Sequence, residues 1–403
     1  MNNTRIIIIK PGNGLNLSDQ LNGCLTSIRE KLQALGLDSR DIVRQTVFID
    51  AAGNEDFYKK RESLLAVMKG FYDTYFPPTT VVGQPPEAGS LVCIELWVLS
   101  RKDAGTEIEV KEIDGTDYIV VRYPGYSEIH ASGLTASADC TDRLVQAETA
   151  LGLMKKILDA EGLDFSDVVR QWNYIEGIID ATSGDDGCKQ NYQIFNDARS
   201  IFYGEAAFKN GYPSATGIGM NCGGIVLEFI AVIISPDMAS DMASDMAIIP
   251  IKNPLQVDAH RYSQQVLVGE AVRGLSQKTT PKFERAKVVV RNRSYCIYIS
   301  GTAAIQGQDS VSDRDVVMQT RVTIENILKL VGADNLQAHG IFRSRVPDIL
   351  SYFRVYVKNG VDIPLVRGVC GEYFQGVPCL YLVSDICRDD LLVEIEGAAE
   401  SSR

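Results

Sequence analysis

One ten-residue phrase occurs twice in the chain. Residues 36–45 read GLDSRDIVRQ and residues 162–171 read GLDFSDVVRQ. Self-similarity at a long interval means that one supersecondary unit is repeated, which narrows the possible folds more than any composition figure. Each phrase follows a run with apolar residues at helical spacing, QLNGCLTSIREKLQAL or RLVQAETALGLMKKILDAE. Each precedes a strand-like run, TVFID or WNYIEGI. A fainter third copy joins the helical run DRDVVMQTRVTIENILKLVGA to the strand SYFRVYVK. Second helices follow in EDFYKKRESLLAVMKGFYDTYF, NYQIFNDARSIFYGEAAF and IPLVRGVCGEYF. The copies close on the strands SLVCIELWVLS, GIVLEFIAVII and DLLVEIEGAA.

The repeat predicts two opening strands, a helix, a strand, a second helix and two last strands. Two helices on one face of a mixed sheet make an α+β layer. The units are expected at 1–106, 107–237 and 284–403, with an insert and linker over 238–283. The tandem DMASDMASDM at 237–246 reads as a surface loop. TGIGMNCGG at 216–224 lacks the G-x-G-x-x-G spacing and reads as a tight loop between strands. Three similar units in one chain predict a closed pseudo-threefold assembly, each sheet burying its free face at the centre.

Composition excludes several functions. The net charge of -12 disfavours nucleic acid, whose phosphates need clustered cations. No apolar run approaches a membrane span, and IIII at 6–9 is too short for a signal-peptide core. A cytoplasmic protein with no membrane partner is expected. Nine cysteines without a CxxC pair fit a reducing compartment. The three histidines, His130, His260 and His339, are scattered, so no metal is expected.

The last strands differ in one respect. Two positions before Glu95, Glu228 and Glu396 stand Cys93, Val226 and Glu394. Strand alternation puts both members of each pair on one face. Only the third unit carries a second acid there, which predicts one active site per chain. Glu394, between Val393 and Ile395, is a candidate general acid, because partial desolvation raises a carboxyl pKa. The competing reading is a solvated carboxylate on an exposed face.

The unit resembles the Rid (YjgF) superfamily, with its chorismate-mutase-like fold and usual homotrimers. SGTAAIQG at 300–307, FPPTTVV at 76–82, YPSATGIG at 212–219 and LLVEIEGAA at 391–399 carry that resemblance. Rid sites lie between units, where an Arg of a P-x-R segment grips a substrate carboxylate. Thr79, Ala215 and Leu380 take that position here, which argues against an imine or enamine deaminase.

From about residue 165 the chain resembles the chorismatases more narrowly. The carrying segments are VVRQWNYIEGI (168–178), YQIFNDARSIF (192–202), YPSATGIGM (212–220), NPLQVDAHRY (253–262), SGTAAIQGQDS (300–310) and SDICRDDLLVEIEG (384–397). The resemblance implies cofactor-free cleavage of chorismate to pyruvate and a hydroxybenzoate, with Glu394 as acid. It implies that Cys387 and Gly301 steer the product toward 3-hydroxybenzoate. By residue type alone, Cys387 reads as a small buried hydrophobe and Gly301 as a strand glycine at a close approach. Chorismate is a dicarboxylate, and Arg is the best carboxylate fork. Arg199 ranks first, Arg354 and Arg367 next, and Tyr262 adds a hydroxyl; Tyr203 and Gln319 are weaker candidates. Arg44 and Arg170 recur with the repeat and read as fold residues. A monomer or weak oligomer is expected, and the alternatives are a Rid-like deaminase or a non-catalytic metabolite-binding protein.

Overall fold

The computed structural model describes residues 4–12, 14–72, 75–101, 105–184, 187–204, 206–234, 246–268, 271, 276–291, 294–311, 315–341 and 350–401. The tandem insert, apart from Met246, lies outside them. Three mixed sheets form the frame of the fold.

The first contains β1 (Arg5–Ile9), β2 (Ile42–Ile49), β3 (Thr79–Val82) and β4 (Val92–Val98), in the order β1-β4-β2-β3. Helices α1 (Leu17–Ala34) and α2 (Asn54–Tyr72) cover one face. The second contains β5 (Glu107–Ile113), β6 (Thr116–Tyr123), β7 (Tyr126–Thr135), β8 (Val168–Glu176), β11 (Ser214–Met220) and β12 (Ile225–Ile234). A hairpin, β9 (Ala181–Gly184) and β10 (Gly187–Gln190), stands apart, and α3 (Arg143–Ala160) and α4 (Asn191–Tyr203) cover this sheet. The third contains β13 (Ala247–Ile251), β14 (Ala286–Arg291), β15 (Ser294–Ala303), β18 (Leu350–Val357), β19 (Cys379–Val383) and β20 (Val393–Ser401). Beside it lie the short pair β16 (Ile305–Gln306) and β17 (Asp309–Ser310) and helices α5 (Val316–Leu330), α6 (Ala333–Ala338) and α7 (Ile363–Tyr373).

Local chemistry explains these elements. Asn16, Asp142 and Asp315 cap α1, α3 and α5 by accepting backbone N–H bonds. The GLD phrases contain capping boxes, Asp38 with Asp41 and Asp164 with Asp167, just before β2 and β8. In each sheet the strand after the first helix runs parallel to its neighbour and antiparallel to the last strand.

Some expectations differ. The first sheet has one opening strand, and the others have three. β13 lies in the stretch read as insert and linker, yet it pairs with β14 along its whole length. TGIGMNCGG is strand as far as Met220, leaving only the last residues as turn. The β3, β11 and β19 registers put Cys379, not Leu380, opposite the site matching Thr79 and Ala215.

The faces without helices meet in a fourth core cluster built from all three sheets. At its middle lies a buried ionic belt. Arg354 donates to Glu95 at 2.7 and 2.8 Å, to Glu396 at 3.2 Å and to the Tyr174 hydroxyl at 2.5 Å. Arg170 bonds Glu396, and Arg44 reaches Glu228 at 3.3 Å while its guanidinium lies 3.8 Å from the Trp172 ring centre. Trp97, Trp172, Tyr174, Tyr352, Tyr356, Thr46 and Thr216 supply the remaining donors. Burial opposes charge on Glu95, but Arg354, Arg44 and the Tyr352 hydroxyl together outweigh it and hold the carboxyl below its ordinary range. Among the described residues, no helix is long and apolar enough to cross a membrane.

Candidate active site

A cleft opens where β11 and α4 of the second sheet face β15 and β20 of the third. Its walls include Tyr192, Asn196, Ala215, Gly217, Tyr262, Arg285, Gly301, Cys387, Arg388 and Glu394, around about 730 Å³ of empty space counted to the mouth. That size suits a small-molecule ligand.

Glu394 and Glu396 share the inner face of β20, while Val393 and Ile395 pack toward the helices. Glu396 joins the ionic belt, whereas the Glu394 carboxyl has no hydrogen-bond partner among the described residues. It is 4% exposed. Burial, then the neighbouring Glu396, raise its pKa from 4.5 to about 8, against the pull of Arg170 and Arg285. The group is therefore mainly protonated at neutral pH and can deliver a proton.

Gly301 makes the space for it. Ser300 and Gly301 form a bulge in β15 opposite the single residue Glu396. A Cβ built on Gly301 would overlap Glu394 Oε1 and come within 3.1 Å of Thr216 Cγ2. The Gly301 N–H donates to Thr216 Oγ1 at 3.0 Å, which fixes the bulge against the second sheet. Gly217 plays the same part for Tyr192, whose Cε2 would stand 2.8 Å from an added Cβ.

Cys387 sits on the loop before β20. The Gly219 N–H donates to Asp385 O at 2.9 Å, which ties that loop to β11. Burial and the Glu394 charge push the Cys387 thiol up to about 12, so it is a neutral wall of the cleft rather than a nucleophile.

Two arginines line the cleft with the acid. Arg285 is 3% exposed and donates to Val257 O at 2.5 Å and the Tyr262 hydroxyl at 2.7 Å. Its Nε has no partner among the described residues. Arg388 donates to Gln308 O at 2.9 Å and lies 5.3 Å from the Tyr262 ring centre; Arg285 lies 5.6 Å from the same ring. Tyr262 thus holds both cations by cation–π contact and hydrogen bonding. The arrangement can bind a ligand with two anionic groups and protonate it between them.

Glu394, Cys387, Gly301 and Tyr262 come together in this cleft. Arg199 does not line it. It lies one turn behind Asn196, donates to Asn196 Oδ1 at 2.6 Å and stacks near Phe195 and Tyr203. Arg354 is not a ligand group either, since the ionic belt consumes it. Arg367 is on the surface, paired with Glu87 and stacked 4.7 Å from the Tyr381 ring centre. Tyr203 donates to Gln171 Oε1 at 2.6 Å, away from the cleft. Gln319 ties α5 to the loop before β20 through Asp390 O and the Leu392 N–H. Arg285, Arg388 and Tyr192 were absent from the sequence-based candidates. Arg388 follows Cys387 directly, and that adjacency was the available signal; Arg285 lies outside every repeat phrase.

Comparison with known proteins places these features in context. Residues 121–231 match the family described as Chorismatase FkbO/Hyg5-like, N-terminal. A 3-hydroxybenzoate synthase of Streptomyces hygroscopicus is 31% identical over 248 residues, 59% of this chain and 64% of that protein. A chorismatase of Streptomyces rapamycinicus is 34% identical over 243 residues, 58% of this chain and 64% of that protein. The chain therefore spans less than two thirds of the curated relatives it matches. A chorismatase crystal structure, 23% identical, covers 99% of this chain and 98% of its own with a TM-score of 0.68, so the two share a fold.

Proposed function

We propose that the protein is a cofactor-free chorismatase that converts chorismate to pyruvate and a hydroxybenzoate, 3-hydroxybenzoate in first place. One observation carries this reading: a protonated, hydrogen-bond-free Glu394 shares one cleft with Arg285 and Arg388. The similarity to a 3-hydroxybenzoate synthase and to chorismatases supports it. So does the presence of Cys387 and Gly301 at the two product-steering positions. The three sheets are read as Rid-like units of an intramolecular pseudo-trimer, with boundaries at 1–106, 107–237 and 284–403. β13 belongs to the third unit and the rest of 238–283 is a linker. The protein is taken to act in the cytoplasm as a monomer or weak oligomer.

Arg285 and Arg388 hold the two carboxylates and Tyr262 fixes both guanidinium planes. Glu394 delivers its proton to the enolpyruvyl ether as the bond from oxygen to the ring breaks. The neighbouring C4 hydroxyl oxygen closes onto C3 in its place, giving up its proton; the C4–O bond then opens, and loss of the C3 proton restores aromaticity with the hydroxyl on C3. Pyruvate and 3-hydroxybenzoate together contain the atoms of chorismate, so no redox partner is consumed. Cys387, small and neutral, lets the ring lie where that second step is favoured over capture by water. A Rid-like deaminase would need a carboxylate-gripping Arg at Thr79, Ala215 or Cys379.

Purified protein given chorismate is expected to release pyruvate and 3-hydroxybenzoate in equal amounts. Since Glu394 acts in its protonated form, turnover should hold below about pH 8 and fall above it. Absence of pyruvate, or a rate that climbs through that range, would overturn the proposal.

Gly301→Ala tests the product-steering role. The added methyl meets the far end of the flexible Glu394 side chain, which can move aside. Thermal stability should therefore change little, while 3-hydroxybenzoate should fall about tenfold or more relative to the dihydroxycyclohexadiene acid, because a small misplacement of a reacting group costs that much. Product ratios by chromatography check it; an unchanged ratio would remove Gly301 from the steering role.

A further inference from the structure

A second cleft lies between the first and second sheets and repeats the geometry of the first position by position. Gly133 lies with Ser132 in a bulge of β7 opposite Glu228, as Gly301 does opposite Glu396. Its N–H donates to Thr80 Oγ1 at 2.7 Å, as that of Gly301 does to Thr216. Val226 pairs with Thr135 where Glu394 pairs with Ala303. Tyr72 donates to Gln45 Oε1 at 2.7 Å as Tyr203 does to Gln171 at 2.6 Å, which aligns α2 with α4. Arg61, eleven residues before Tyr72, therefore occupies the place of Tyr192, eleven residues before Tyr203. The empty space is about 690 Å³, close to that of the first cleft.

The chemistry differs in two ways. Val226 removes the acid, and Arg61 adds a cation. Arg61 and Tyr58, on one face of α2, line this cleft, and neither makes a hydrogen bond or ion pair among the described residues. No Asp or Glu belongs to the lining, to which Phe57, Val81 and Val226 give one apolar wall. Burial lowers the Arg61 pKa, yet a guanidinium stays charged at neutral pH. An unpaired, partly desolvated fork beside a free phenol is a carboxylate receptor.

We infer that this cleft is a second, non-catalytic site for a small organic carboxylate, gripped by Arg61 and Tyr58 with its apolar body against Val81 and Val226. The inference does not depend on which reaction the first cleft performs.

Calorimetric titration of the intact protein with benzoate tests it, with the uncharged benzamide as control. Wild type is expected to bind benzoate at a site that Arg61→Gln weakens about tenfold or more, the loss of one charged fork, while benzamide does not bind there. Arg61 is half-buried on a helix and Gln is a good helix former, so thermal unfolding should match wild type. Benzoate should also shield Arg61 from phenylglyoxal, read by peptide mass spectrometry. Equal benzoate binding by both proteins, no benzoate binding by wild type, or unshielded Arg61 would overturn the inference.

Discussion

Glu394→Gln is expected to lower chorismate turnover at least ~100-fold, the usual contribution of a positioned general acid. Gln keeps the shape of the side chain and cannot give up a proton. The site tolerates it because the native carboxyl is itself neutral near pH 7. Stability supplies an internal control. The folded Glu394 keeps its proton up to about pH 8, whereas the unfolded group releases it near 4.5. The native state thus binds more protons within that window, so this group's contribution to stability declines as pH rises through it. The variant should lack that decline and be at least as stable as wild type at pH 8. Pyruvate release and denaturant melts across pH measure both effects. Unchanged turnover in a folded variant would sink the proposed chemistry.

Arg354→Met is expected to cost about 3–5 kcal/mol of folding stability, the range for removing one partner of a buried ion pair. The residue is fully buried, and its partners come from all three sheets: Glu95, Tyr174 and Glu396. Without it, Glu95 loses a bidentate fork while remaining in the interior. Adding Glu95→Gln removes the orphaned charge and should restore part of the loss, a coupling that a double-mutant cycle reads directly. Urea melts of the single and double variants check both values. A loss below about 1 kcal/mol for the single variant would mean that the belt is not a main tie between the sheets.

The repeat made much of the fold legible. GLDSRDIVRQ and GLDFSDVVRQ contain capping boxes that turn each helix into a strand, and local chemistry of that kind is written in consecutive residues. The opening strands were harder to read. AIIPI contains Pro250, which marks an edge strand, and β13 is indeed the edge of its sheet. β5 alternates only weakly between half-buried and exposed residues.

The cleft was legible where one strand or phrase carried it. Glu394 was betrayed by its absence from the sister strands, and Cys387 by its phrase. The arginines were not, because what decides an Arg is its partner. Arg354 looked available until Glu95 was found beside it, and Arg367 until Glu87 was. Arg285 earns its place through Val257 and Tyr262, which reach it from a separate loop. No spacing rule in a linear string announces such meetings.

The ionic belt has a consequence for how such a chain can change. Each sheet brings one guanidinium and one carboxylate, but Arg44 pairs with Glu228, Arg170 with Glu396 and Arg354 with Glu95, so satisfaction of the hub is a property of the whole polypeptide. Evolution is free to retool the outer grooves one by one, but a segment swapped in from elsewhere would have to bring matching hub charges with it.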